Sequence, residues 1–308
     1  MYIKEENNIS HKINNSQIDK KSALERVIQS NPADSHARAD LGFYYYNKGD
    51  LKRAKTHFET AVSLDPSLKQ VWSRLVEVNI KLKNYKHALT ANNKVLEFVP
   101  NSEKYNKIKM ELEKLTLEQA IQVNPIDSHA RKDLGAIYYN KGDLKKAKMH
   151  FETAVSLEPS LKEVWSKLVV LDLKLKSYKH ALIASKKLLE LIPNSKKLND
   201  LKVNIEKLLL EQAIQTNPTD PQVRKDLGNL HYSQGELSKA KIYLESAVSL
   251  EPSLKEVWEK LIEVDLKIEN YKNALIACKK ILEIEPKSKK YKKIKSNIEK
   301  LLELKDED

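Results

Sequence analysis

Histidine is the residue in this chain best suited to metal or acid–base chemistry, because imidazole both ligates metals and titrates near neutrality. Six of the eight histidines form two matched sets: His36, His57 and His87 return 93 residues later as His129, His150 and His180. A further 93 residues on, the same places hold Gln222, Tyr243 and Asn273. There is no His-x3-His pair, no Gly-rich phosphate loop and no nucleophile elbow. The histidines follow a duplication rather than a reactive centre. Cys278 stands alone, which excludes an internal disulfide framework and a cysteine-based metal cluster. It aligns with Asn92 and Ser185 in the repeat and reads as a packed thiol. The expectation is a protein that is not an enzyme, with no cofactor and no metal.

Composition narrows what such a chain does instead. Charged residues make up 32% and apolar residues 41%; six glycines and ten prolines are too few for a loop-rich all-β chain. No apolar stretch reaches the roughly 18 residues that span a bilayer, so membrane insertion is not expected. The opening residues, Met1 to Asn8, lack the apolar core of a secretory signal. With one cysteine, the expected location is cytoplasmic. The net charge of +12 raises nucleic-acid or other polyanion binding. The lysines, however, interleave with glutamates along nearly every helical stretch. No ladder of aromatic and basic residues for a single strand is present.

Spacing reveals the elements that carry these residues. Trp72, Trp165 and Trp258 lie 93 residues apart, as do Asn31-Pro32, Asn124-Pro125 and Asn217-Pro218. Pro32, Pro66 and Pro100 are spaced by 34, and Pro125 follows after 25; Pro159, Pro193, Pro218, Pro252 and Pro286 repeat the series. Proline removes a helical donor and clashes with the preceding turn, so each marks a helix end. Within 34 residues the pattern is two amphipathic helices. In the first unit it runs Leu41, Gly42, Tyr45, a turn at Asn47-Lys48-Gly49-Asp50, then Ala54, Phe58, Ala61 and Pro66. It returns at Leu134, Gly135, Tyr138, Ala147, Phe151, Ala154 and Pro159, and at Leu227, Gly228, His231, Ala240, Leu244, Ala247 and Pro252.

These residues resemble the tetratricopeptide repeat, whose pattern is W-x2-L-G-x2-Y, A-x3-F and P. The alternate units depart from it. Val76 replaces the small residue after Leu75, Asn79, Asp172 and Asp265 stand where an aromatic is usual, and Asn92, Ser185 and Cys278 occupy a bulky site. Glu103 to Val123 contains no Gly, Pro or turn cluster, while Tyr105, Ile108, Leu112 and Leu115 form a stripe matched by Leu198, Leu201, Ile205 and Leu208. The spacing predicts one continuous helix of about 20 residues, about 30 Å long.

The expected fold is therefore all-α: a tetratricopeptide-like helical solenoid of three 93-residue modules, each of two repeats, joined by long linker helices. Residues 1–21 are expected to be disordered, with a capping box at Ser22 and Glu25 opening the first helix. The modules run 22–116, 117–209 and 210–308, the last ending in a capping helix and an acidic tail.

The resemblance implies a non-catalytic scaffold or adaptor that binds a protein or peptide through a concave groove lined by the first helix of each repeat. On those helices Tyr46, Tyr139 and Tyr232 recur, with Phe43 and Asn229 as differing neighbours. His36, Lys132 and Lys225 share the face by helical spacing, and Glu256, Glu259 and Glu263 form an acidic stripe. Core packing is the alternative for the tyrosines, and a solvated face for the glutamates. Two rival roles stay open: a basic solenoid binding nucleic acid or another polyanion, and a regulatory or co-chaperone subunit of a larger complex. A carboxylate clamp of the co-chaperone kind would need an asparagine where Lys260 stands and an arginine where Ile294 stands. Self-association stays open as well, and the partner's identity is not encoded in these patterns.

Overall fold

The computed structural model describes residues 20–306, and every regular element among them is helical. The chain divides into two units, Met1–Leu157 and Glu158–Asp308. The first contains α1 (20–30), α2 (Ser35–Asn47), α3 (Leu51–Leu64), α4 (Lys69–Lys81), α5 (Tyr85–Phe98), α6 (Glu103–Val123), α7 (Ser128–Asn140) and α8 (Leu144–Leu157). The second contains α9 (Lys162–Lys174), α10 (Tyr178–Leu191), α11 (Lys196–Thr216), α12 (Pro221–Ser233), α13 (Leu237–Leu250), α14 (Lys255–Lys267), α15 (Tyr271–Ile284) and α16 (Lys289–Asp306).

Local chemistry sets the helix ends. Asp34, Asp127 and Asp220 cap α2, α7 and α12 by accepting from backbone N–H groups of the first turn, satisfying donors that the helix leaves open. Asp50 does the same for α3 through Arg53 N. The α2–α3 turn needs a left-handed residue, and Gly49 supplies it at φ +81°. In the α4–α5 turn the same conformation falls on Lys83 at φ +58°, without a glycine. Ser22 does not open a helix, because α1 already includes residues 20 and 21 and places Ser22 inside it. The rest of the stretch 1–21 lies outside the described residues.

Each unit buries its own core. Leu41, Phe58, Leu75, Val78 and Val95 are buried together in the first unit; Leu244, Leu261, Val264 and Ile281 are buried together in the second, where α16 adds Tyr291 and Ile298. Gly42 makes the α2–α3 crossing possible: a Cβ there would lie 2.5 Å from Cδ1 of Phe58.

The two 21-residue helices, α6 and α11, are continuous, as the missing turn signals predict. Each packs on the helix before it and the helix after it. The residue pairs 116/117 and 209/210 thus fall inside helices, and the division into units lies instead between α8 and α9.

Polar residues at core positions tie the long helices down. Asn92 of α5 donates to Tyr105 O of α6 at 3.0 Å, and the Cys278 thiol of α15 donates to Tyr291 O of α16 at 3.2 Å. Burial pushes the Cys278 thiol up, which keeps it protonated and unreactive.

Candidate functional site

Helices α2, α4 and α6 of the first unit form a face around a cavity of about 520 Å³. Phe43 from α2, Lys69, Ser73 and Arg74 from α4, and Tyr105 from α6 line it. Phe43 is fixed by an edge-to-face contact with buried Phe58, ring centroids 5.0 Å apart. Tyr105 donates to Ser73 Oγ at 3.0 Å, and Lys104 lies 5.3 Å from the Tyr105 ring centroid. The wall is therefore part aromatic and part charged, since Glu77 also lines it and pairs with Arg74 at 2.7 Å.

Tyr46 sits beside this cavity, but not as a free anchor. Its hydroxyl donates to Glu77 Oε2 at 3.0 Å and accepts from Lys81 Nζ at 3.2 Å. The Arg74 guanidinium and the Lys81 ammonium lie 5.4 and 4.7 Å from its ring centroid. Burial works against ionising Glu77, yet hydrogen bonds from Arg74 and Tyr46 hold its carboxyl below the usual range.

The second unit builds the same cluster 186 residues later. Lys260 and Lys267 each lie 4.4 Å from the Tyr232 ring centroid, and Lys260 donates to Glu263 at 2.6 Å. That bond from Lys260 holds the Glu263 carboxyl low.

The expected acidic stripe is present in sequence but not as free charge. Glu256 pairs with Lys225, Glu259 accepts from the Tyr291 hydroxyl and Glu263 pairs with Lys260. In the first unit the equivalent positions hold Gln70, Ser73 and Glu77, with Ala39 in place of Lys225. The Lys225–Glu256 bridge thus has no counterpart there, whereas Arg74–Glu77 and Tyr105–Ser73 stand where Lys260–Glu263 and Tyr291–Glu259 do.

The remaining candidates are dispersed. His36 is exposed, with Ser35 Oγ 3.3 Å from its Nδ1. Asn229 is exposed and Lys132 lies 3.8 Å from Asp133. Tyr139 is half-buried. Sequence reasoning did not place Lys69, Arg74 or Glu77 at a site, and it read Tyr105 only as part of the α6 stripe. The available signal was the constant offset from the tyrosine: Arg74 and Glu77 follow Tyr46 as Lys260 and Glu263 follow Tyr232.

Three of the histidines sit in ring stacks. His57 stacks on Tyr45 and His150 on Tyr138, while His231 stacks on Tyr243, with the two ring types exchanged between positions. Among the described residues, no group of three His, Cys, Asp or Glu is placed to hold a metal ion.

This geometry belongs to a known repeat. The tetratricopeptide repeat profile matches residues 36–68, and a second tetratricopeptide profile matches 133–161 and 226–254. The chain therefore carries tetratricopeptide repeats over these residues, and such repeats generally serve as protein-interaction scaffolds. Cellulose synthase operon protein C of Escherichia coli strain K12 is 37% identical over 75 residues, which is 23% of this chain and 6% of that protein. The chain thus spans only about 6% of the length of that curated relative.

Among solved structures, YrrB, described as a TPR protein with an unusual peptide-binding site, is 20% identical with a TM-score of 0.31. The match covers 58% of this chain and 97% of YrrB. MamA of Desulfovibrio magneticus RS-1 is 22% identical with a TM-score of 0.25, covering 63% and 96%. At these scores the arrangement of helices in those proteins does not transfer to this chain. No helix among the described residues is long and apolar enough to cross a membrane.

Proposed function

We propose that this protein is a non-catalytic scaffold that holds a segment of a partner protein on the face formed by α2, α4 and α6. The observation that carries the reading is the cavity of about 520 Å³ in which Phe43 and Tyr105 face the same space as Lys69 and Arg74. An aromatic side offers apolar contact area, and Lys69 beside the Arg74–Glu77 pair fixes the register of a bound chain. The related face of the second unit is crossed by the Lys225–Glu256 pair, so binding there would first have to break an ion pair. A polyanion is the weaker reading, because Arg74, Lys225 and Lys260 already have carboxylate partners. The cytoplasmic address rests on the single cysteine.

A photo-crosslinking amino acid tests this directly. Placed at Gln70 on the cavity face, or at exposed Lys86 on α5, it should give partner adducts by mass spectrometry at Gln70 and not at Lys86. Adducts confined to Lys86 would move the binding surface to the opposite helices.

A further inference from the structure

A different cavity, sharing no residue with the α2–α4–α6 face, lies between α13, α14 and α15 and measures about 310 Å³. Trp258, Leu261, Val248 and Ile276 give it apolar walls, and Glu245 and Asp265 supply its charge. Trp258 donates its indole N–H to Pro252 O at 2.9 Å, so its ring is fixed in orientation and offers only its π surface. Asp265 is only 2% exposed. Lys241 Nζ lies 2.5 Å from Asp265 Oδ1 and 3.7 Å from Glu245 Oε1. One lysine between two carboxylates leaves one negative charge in excess. No cation lines the cavity itself.

The first unit repeats this cavity at about 280 Å³ between α3, α4 and α5, with Trp72, Leu75, Glu59 and Asn79 in the corresponding places. Asn79 is also 2% exposed; its Nδ2 donates to Leu75 O, but its Oδ1 is buried without a hydrogen-bond partner. A buried acceptor without a donor is costly and points to a donor supplied from outside. Two units thus place an acceptor oxygen against a tryptophan in the same-shaped space. Burial pushes the Asp265 carboxyl up against the pull of Lys241.

We propose that the cavity between α13, α14 and α15 is a socket for one arginine side chain of a partner protein segment, with the guanidinium on Trp258 and hydrogen-bonded to Asp265 and Glu245. Guanidinium suits both surfaces, because it stacks on indole faces and pairs with carboxylates through a planar fork. The overall positive charge does not prevent this, since fields at the surface are screened within about 8 Å at physiological salt. The counterpart at Asn79 offers the same donor-seeking oxygen without the charge and takes the same group more weakly. This site stands apart from the α2–α4–α6 face, and either could fail without the other.

The test uses the full chain and two probes, N-acetyl-arginine amide and its neutral isostere N-acetyl-citrulline amide. The three tryptophan indole N–H signals are followed by 1H–15N NMR. The arginine probe should shift the Trp258 signal saturably, on the order of millimolar affinity for a single side chain. The citrulline probe should bind about tenfold more weakly, lacking the charge-assisted bonds. Glu245→Gln should weaken the arginine response while the helical signal is retained. Asn79→Asp installs in the first unit the carboxylate that the second possesses, beside Lys55 and Glu59, and should make the Trp72 signal respond more strongly. Asp265→Asn should reduce the Trp258 response to the weaker level of Trp72; if that variant does not fold, Glu245→Gln and Asn79→Asp decide. A static Trp258 signal, equal binding of both probes, or a shift shared equally by all three indoles would overturn the socket.

Discussion

Gly42→Ala puts two physical effects in opposition at one atom. Alanine in place of glycine inside a helix is worth roughly 1 kcal/mol in propensity. The added Cβ, however, would stand 2.5 and 2.7 Å from Cδ1 and Cε1 of Phe58. That ring is fully buried and held by the edge contact with Phe43, so it cannot turn away without disturbing a second aromatic. Forcing such a contact costs about 1–3 kcal/mol. The net expectation is a loss of about 1 kcal/mol in the α2–α3 hairpin. Repeat arrays open locally, so amide hydrogen exchange across α2 and α3 is the appropriate assay, compared with α14 and α15 as an internal reference. A second arm separates the terms. In a Phe58→Val background the steric obstacle is gone, and Gly42→Ala should then increase protection by roughly the propensity gain. If Gly42→Ala already increases protection with Phe58 in place, the close-approach argument is wrong.

Other expectations concern protonation, helix continuity and the tyrosine clusters. Burial, then Arg38 or Arg131, depresses His57 and His150 in the fold, and each Nδ1 is buried without a hydrogen-bond partner. The unfolded chain therefore binds more protons once pH falls to about 6.5. The contribution of these imidazoles is present above that value and is lost as pH falls through it toward their lower folded pKa. Melting temperature should drop between pH 7.5 and 5.5, and the drop should shrink in His57→Tyr with His150→Tyr, the ring found at Tyr243; an unchanged slope would remove the histidines from the account. Spin labels at Lys104 and Gln122 on α6 should show a narrow distance distribution near ~27 Å, from 18 residues at the helical rise; a broad one would mean a broken helix. Tyr46→Phe removes the hydroxyl between Glu77 and Lys81 and should cost about 1 kcal/mol in denaturant melts. An unchanged midpoint would show that the hydroxyl bonds carry no net stability.

The fold was legible because its determinants are local and periodic. The proline lattice marks helix ends, the missing glycine and proline between Glu103 and Val123 announces α6, and the 93-residue interval transfers each reading to its copies. Ser22 misled because the capping-box pattern is short and also occurs inside helices, as it does here. The candidate site was less legible. Helical spacing put Tyr46, Tyr232 and the three glutamates on first-helix faces, but it says nothing of what crosses from the next helix. The partners of Tyr46 and Lys225 lie 31 residues onward, at Glu77 and Glu256. Such pairs depend on how two helices are set against each other. Likewise Asn79 and Asp265 look like lapses from an aromatic pattern in the sequence, whereas in the structure they form part of cavity walls.

The long helix α6 also bears on how the first unit answers a mechanical load. A hairpin joined to the next by a loop can peel away alone, leaving its neighbour's ends intact. Here α5 and α7 both pack on α6, which runs unbroken from Glu103 to Val123. Extending a helix needs no new nucleus, while ending one midway exposes several backbone groups at the cut. Tension applied at either hairpin is therefore transmitted along a single rod, and the two hairpins resist or yield as one mechanical element.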